Sequence, residues 1–180
     1  MYLQKPTPSL FGLAGGQNVV YLGTFSRLLL PSIRISFMVL PPELSALYRK
    51  KADQYNQTAS KAEQIALCQF IRDGHLAAQT RKLKRLYSVK LKALRSAVRE
   101  VFGKDYQIQT GAAGTSLALT LSTTLTWQEL QKKAQTNGLR LQLLREAPGK
   151  ITLILSCSSM PVADFVPACK LLKDISQIQN

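Results

Sequence analysis

The stretch Val19-Val20-Tyr21-Leu22-Gly23-Thr24-Phe25-Ser26-Arg27, continuing to Pro31-Ser32-Ile33-Arg34, decides how this chain folds. It opens on an apolar run of the kind that forms a buried strand. Gly23 to Ser26 then bring small and hydroxyl-bearing residues suited to a tight polar turn. Ile35 to Leu40 resumes the apolar run, so a second strand follows, with Arg34 at its entrance. Pro41-Pro42 ends that strand, because proline has no N–H to give to a sheet.

Working outward, residues 1–18 are rich in Pro and Gly and read as an irregular lead-in. Strands are expected over 19–24 and 34–40, then a helix from Glu43 to about Asn56. Thr58 or Ser60 can cap a second helix that carries Ile65, Leu67, Phe70 and Ile71 and stops at Asp73-Gly74. A third helix spans 75–104, with Leu83, Leu86, Tyr87, Leu91, Leu94 and Val98 at helical spacing. After it the texture changes. Tyr106–Thr110 and Thr115–Ser122 read as strands, and Thr126 with Glu129 forms a capping box for a helix that ends at Asn137-Gly138. Leu139–Leu144 and Ile151–Ser156 read as strands, and a last helix covers about Val162 to Ile178 with Pro167 inside it.

Composition bounds the function classes. A chain of 180 residues can bury about two-thirds of its unfolded surface in one core. No run of about 18 apolar residues is present, so no transmembrane helix is expected. The first six residues lack the apolar core of a signal peptide. Cys68, Cys157 and Cys169 sit in apolar surroundings without metal or disulfide spacing, as reduced core residues of a cytoplasmic protein do. The formal charge of +14 is concentrated on the third helix, where Arg81, Lys82, Lys84, Arg85, Lys90, Lys92, Arg95, Arg99 and Lys104 face one acid, Glu100. A solvated basic face is the ordinary meaning of such a run. No DNA-binding module accompanies it, although a basic binding surface is a second reading. His75, the lone histidine, lies at a helix start without companion metal ligands, and Trp127 reads as a packing anchor.

The segment from the apolar strand through Gly23-Thr24-Phe25-Ser26-Arg27 to Pro31-Ser32-Ile33-Arg34 resembles the cofactor-lysine segment of fold type I pyridoxal-phosphate proteins. It is most similar to the aminotransferase-like domain of MocR-type regulators in the GntR superfamily. Tyr55-Asn56-Gln57-Thr58, Phe70-Ile71-Arg72-Asp73-Gly74-His75 and Arg81 to Tyr87 extend the resemblance over nearly the whole chain. It implies an α/β fold, the C-terminal half of a fold type I aminotransferase-like domain. Residues 1–74 would be the remnant of the large cofactor-binding domain, 75–104 a long connecting helix, and 105–180 a small α+β domain. It also implies that Arg34 clamps the cofactor phosphate, with Thr24 and Ser26 contributing hydroxyls.

Arg27 occupies the position of the family's Schiff-base lysine. A lysine amine can be made neutral and nucleophilic by its surroundings, whereas a guanidinium stays protonated and can only hold an anion. The resemblance therefore implies non-covalent binding of pyridoxal phosphate and no transaminase activity. Two further departures stand out. The winged helix-turn-helix and the first part of the large domain have no counterpart here, so a truncated domain with exposed sheet edges is expected. The strand Ile151–Ser156 carries no arginine for a substrate carboxylate, and Arg140 and Arg145 lie on neighbouring elements. In the intact family the partners are an amine or amino-acid effector and a second copy in a homodimer. The alternative is a subunit of a pyridoxal-phosphate-dependent class I/II aminotransferase completed by a partner chain.

Overall fold

The computed structural model describes residues 8–26, 28–55, 58–103, 106–111, 114–158 and 160–176. These fall into two compact units, one ending at Lys82 and the other starting at Leu83, so the boundary lies inside the long helix.

The first unit opens with a single helical turn, α1 (Leu10–Leu13), where an irregular lead-in was expected. The Ser9 hydroxyl caps it by accepting from Gly12 N at 3.1 Å. β1 (Tyr21–Thr24) and β2 (Ser36–Val39) pair from Tyr21↔Val39 to Thr24↔Ser36. α2 (Pro42–Lys51) starts on a proline that fits the first helical turn, then tightens into a 3-10 turn over Ala52–Gln54. It therefore ends before the expected Asn56, which lies outside the described residues. Ser60, rather than Thr58, caps α3 (Lys61–Arg72) by accepting from Glu63 N.

β1 and β2 are antiparallel and form a pair of their own, the arrangement that a tight turn between strands gives. Two expectations for this unit are corrected. β1 is not buried: Leu22 is 73% exposed and Met38 on β2 is 48% exposed. A two-stranded ribbon has no sheet neighbours to shield its faces. Cys68 is exposed rather than a core thiol, because it lies on an α3 with no buried residue.

The second unit takes in most of α4 (His75–Phe102), which begins in the first. It adds β3 (Gln107–Thr110), β4 (Ser116–Ser122), α5 (Trp127–Thr136), β5 (Leu143–Ala147), β6 (Lys150–Ser156) and α6 (Phe165–Ile175). The four strands form an antiparallel sheet in the order β3-β4-β6-β5. Alternation sends Leu117, Leu119, Leu121, Ile151 and Leu153 to one face, where they pack with Val98, Leu130, Phe165 and Leu172. Full burial of each such side chain is worth about 1.5–3 kcal/mol.

Local signals set the ends of these elements. Thr126 and Glu129 close the capping box of α5 from both sides. At its far end Leu139 N donates to Ala134 O at 2.8 Å, past a Gly138 with φ +77. That cap holds Leu139 against the helix, so β5 starts at Leu143, later than the expected 139–144. α6 begins at Phe165 after a 3-10 turn over Val162–Asp164, and Pro167 falls in its first turn, where the missing N–H has no helical acceptor.

Candidate functional site

The turn between β1 and β2 is held by its own side chains. Phe25 N donates to Ile35 O at 3.1 Å, and Leu28 N and Leu29 N both donate to Phe25 O at 3.0 Å. Ser26 N donates to Thr24 Oγ1 at 3.3 Å, and Ser26 Oγ donates to Ile33 O. The Thr24 hydroxyl has two acceptors in reach, Ser26 Oγ at 3.3 Å and Ile35 O at 3.4 Å. With one proton it serves one of them at a time. Thr24, Ser26 and the carbonyls of Ile33 and Ile35 thus form one polar network at the mouth of the hairpin.

Gly23 is required by what lies across from it. Its register partner is Phe37, and a Cβ at Gly23 would stand 2.3 Å from the Phe37 ring. The Phe25 and Phe37 rings meet at 5.4 Å between centroids, and Tyr21 reaches Phe37 at 6.1 Å. Beside this aromatic row runs a groove of about 860 Å3, bounded by Thr24, Phe25, Phe37, Gln64, Leu67 and Cys68 among others. It is mostly apolar, with Thr24, Ser36 and Gln64 as its polar points.

Of the residues singled out in the sequence, Thr24 and Ser26 are brought together by direct hydrogen bonds. Arg34 is exposed and does not line the groove that Thr24 lines. Arg27 lies outside the described residues. Pyridoxal phosphate would present a phosphate dianion, and two hydroxyls with a guanidinium in one loop are a donor set that suits it. The Ser26 hydroxyl donates to Ile33 O and the Thr24 hydroxyl is shared between Ser26 Oγ and Ile35 O, so an arriving phosphate must re-aim them. The segment 19–40 contains no lysine to meet the cofactor aldehyde.

Elsewhere the chemistry is structural. The ring of His75 lies 5.3 Å from that of Phe70 on an exposed helix start. Trp127 is half-buried against the core, and its backbone N–H donates to Glu146 Oε1 at 2.8 Å. Burial pushes the Cys169 thiol up to about 11, with Glu100 adding to the effect, and burial also raises Cys157. Among the described residues no group of His, Cys, Asp and Glu could hold a metal ion, and no helix is long and apolar enough to cross a membrane. Arg145 stands directly across from Thr152 on the open face of the four-stranded sheet, a placement the sequence could not supply.

No family model matches the chain. Among known proteins it is similar to the uncharacterised HTH-type transcriptional regulator YdeL of Bacillus subtilis, 31% identical over 176 residues, which is 96% of this chain and 38% of that protein. A second B. subtilis regulator, YhdI, is 36% identical over 140 residues, 78% of this chain and 30% of that one. The probable rhizopine catabolism regulatory protein MocR of Rhizobium meliloti is 31% identical over 140 residues, 78% of this chain and 28% of its own. Among solved structures, the α-aminoadipate aminotransferase LysN of Thermus thermophilus superposes with a TM-score of 0.73 at 23% identity, over 98% of this chain and 47% of that one. The multiple-substrate aminotransferase of Thermococcus profundus gives 0.76 at 20% identity, over 98% and 45%. The chain spans 28–38% of the length of these regulators and under half of that of the enzymes.

Proposed function

This chain is homologous over most of its length to MocR-type regulators of the GntR superfamily and has the fold of the C-terminal part of a fold type I aminotransferase-like domain, and on that basis we propose that it is a non-catalytic, effector-binding part of such a regulator. In this reading it holds pyridoxal phosphate without a covalent bond. The observation that carries it is a single residue: the loop Gly23-Thr24-Phe25-Ser26 continues into Arg27, at the position where the resemblance places the family's lysine. When bound, the cofactor supplies an electrophilic aldehyde on an electron-accepting ring. The role of this chain is then limited to holding the phosphate, through the Thr24 and Ser26 hydroxyls and the Arg34 guanidinium. An amine or amino-acid effector and a second copy of the chain are the partners that the family relationship supports.

A second reading is favoured by the exposed hairpin. Leu22, Phe37 and Met38 leave apolar surface that further large-domain segments from a partner chain could cover, giving a complete aminotransferase subunit.

One experiment separates the two. The chain is incubated with pyridoxal phosphate, reduced with borohydride, and its mass measured. The first reading predicts reversible binding and no trapped adduct on the native chain, and an adduct on residue 27 in Arg27→Lys. A trapped adduct on the native chain would contradict it, and absence of any reversible binding would remove the cofactor from the account.

A further inference from the structure

The basic excess of the chain is arranged rather than scattered. On α4, Arg85, Lys92, Arg95 and Arg99 fall within an arc of about 80° at 100° per residue. All four are exposed, and the arc lies away from the buried Leu94, Ala97 and Val98. At about 1.5 Å per residue they form a line about 21 Å long. The one acid on α4, Glu100, projects about 100° from Arg99 around the helix.

The line borders a groove of about 1100 Å3 between α4 and the edge strand β3. Arg95 and Arg99 form one wall, Tyr106, Gln107 and Gln109 the other, and among the described residues no acidic side chain lines it. Arg95 donates to Thr110 Oγ1, which ties its guanidinium to the edge of the sheet. Three of the four cations are arginines, whose planar forks match phosphate oxygens in pairs.

We infer that this face of the second unit binds the phosphate backbone of duplex DNA without reading its sequence. Charge complementarity commits it to that occupant: a row of three guanidinium groups and one ammonium along about 21 Å of helix meets a polymer with one charge per about 1.7 Å of axis. The row reads no bases, because it offers phosphate contacts and inserts no element into a groove.

The test is fluorescence anisotropy of the full chain with a labelled duplex between 50 and 200 mM salt. Four phosphate contacts give a log–log slope near −3.6, a loss of affinity of about 150-fold over that range. A variant with Arg85, Lys92, Arg95 and Arg99 each changed to Gln should lose nearly all of that slope. A control with Lys132, Arg140, Lys150 and Lys170 changed to Gln has the same net charge, +14 less 4, or +10, and should keep it. Replacing the three arginines of the row by Lys retains the charges and should also keep the slope. Equal losses in the row variant and the control would show a general field effect and overturn the inference. Polyglutamate of matched length binding as tightly, with the same loss in the row variant, would assign the face to an acidic protein and equally overturn it.

Discussion

The two units of this chain solve the burial problem to very different degrees. From Leu94 to Ile175 a continuous core forms, with Val98, Leu117, Leu119, Leu130 and Leu153 fully withdrawn from water. Among the described residues up to Lys82, Ile35 and Pro41 alone are buried, while Tyr21, Leu22, Phe37, Leu47 and Ile65 stay exposed. The difference does not lie in apolar content, since both regions carry ample Leu, Ile and Phe. It lies in layering: a four-stranded sheet with helices on one face encloses a volume, and a two-stranded ribbon does not. The residues that resemble a cofactor site thus stand on the less enclosed unit, where a ligand has the most order to add.

The contrast can be broken first where it is steepest. Leu119→Ala should cost about 3 kcal/mol in denaturant unfolding of the second unit, because a fully buried leucine leaves a cavity. Leu22→Ala should change stability by under about 0.5 kcal/mol. Similar costs at both sites would mean that the hairpin is covered in solution. Gly23→Ala comes next, at about 1–3 kcal/mol within the first unit, since its new methyl meets the Phe37 ring. Pairing it with Phe37→Ala should recover that part of the loss, read by hydrogen exchange over 21–39.

Smaller effects sharpen the second unit. Thr126→Ala removes the α5 cap at a cost of about 1 kcal/mol. The hydrogen bonds from Thr126, backbone first and then side chain, hold the Glu129 carboxyl below its ordinary value of 4.5. Its contribution is therefore present above that value and fades as pH falls through the lowered one. Glu129→Gln should flatten this acid limb in a melt against pH. The least disruptive probe is a thiol reagent under native conditions. Exposed Cys68 should react at once, and Cys157 and Cys169 only on unfolding.

These tests rest on features that were unevenly visible in the sequence. The capping box of Thr126 and Glu129, the apolar stripe of α4 and the alternation in β4 are local codes, and each appears where the residues put it. The run Val19–Leu22 was as apolar as any core strand, yet pattern reports what a strand could bury and not what is there to cover it. Leu139 and Leu141 alternate like a strand, but the backbone of Leu139 is taken by the end of α5. At the site, Thr24 and Ser26 were legible as a pair; the carbonyls their hydroxyls face, and the exclusion of Arg34 from the groove that Thr24 lines, depend on how the turn closes.

Hydrogen exchange of the full chain, with and without saturating pyridoxal phosphate, tests the central claim most directly. Without ligand, protection should be strong over 94–175 and weak over 21–39. With it, the account predicts added protection centred on 23–35, reversed when the ligand is removed. Unchanged exchange over 23–35, or protection that survives removal, would contradict a non-covalent phosphate site at this turn.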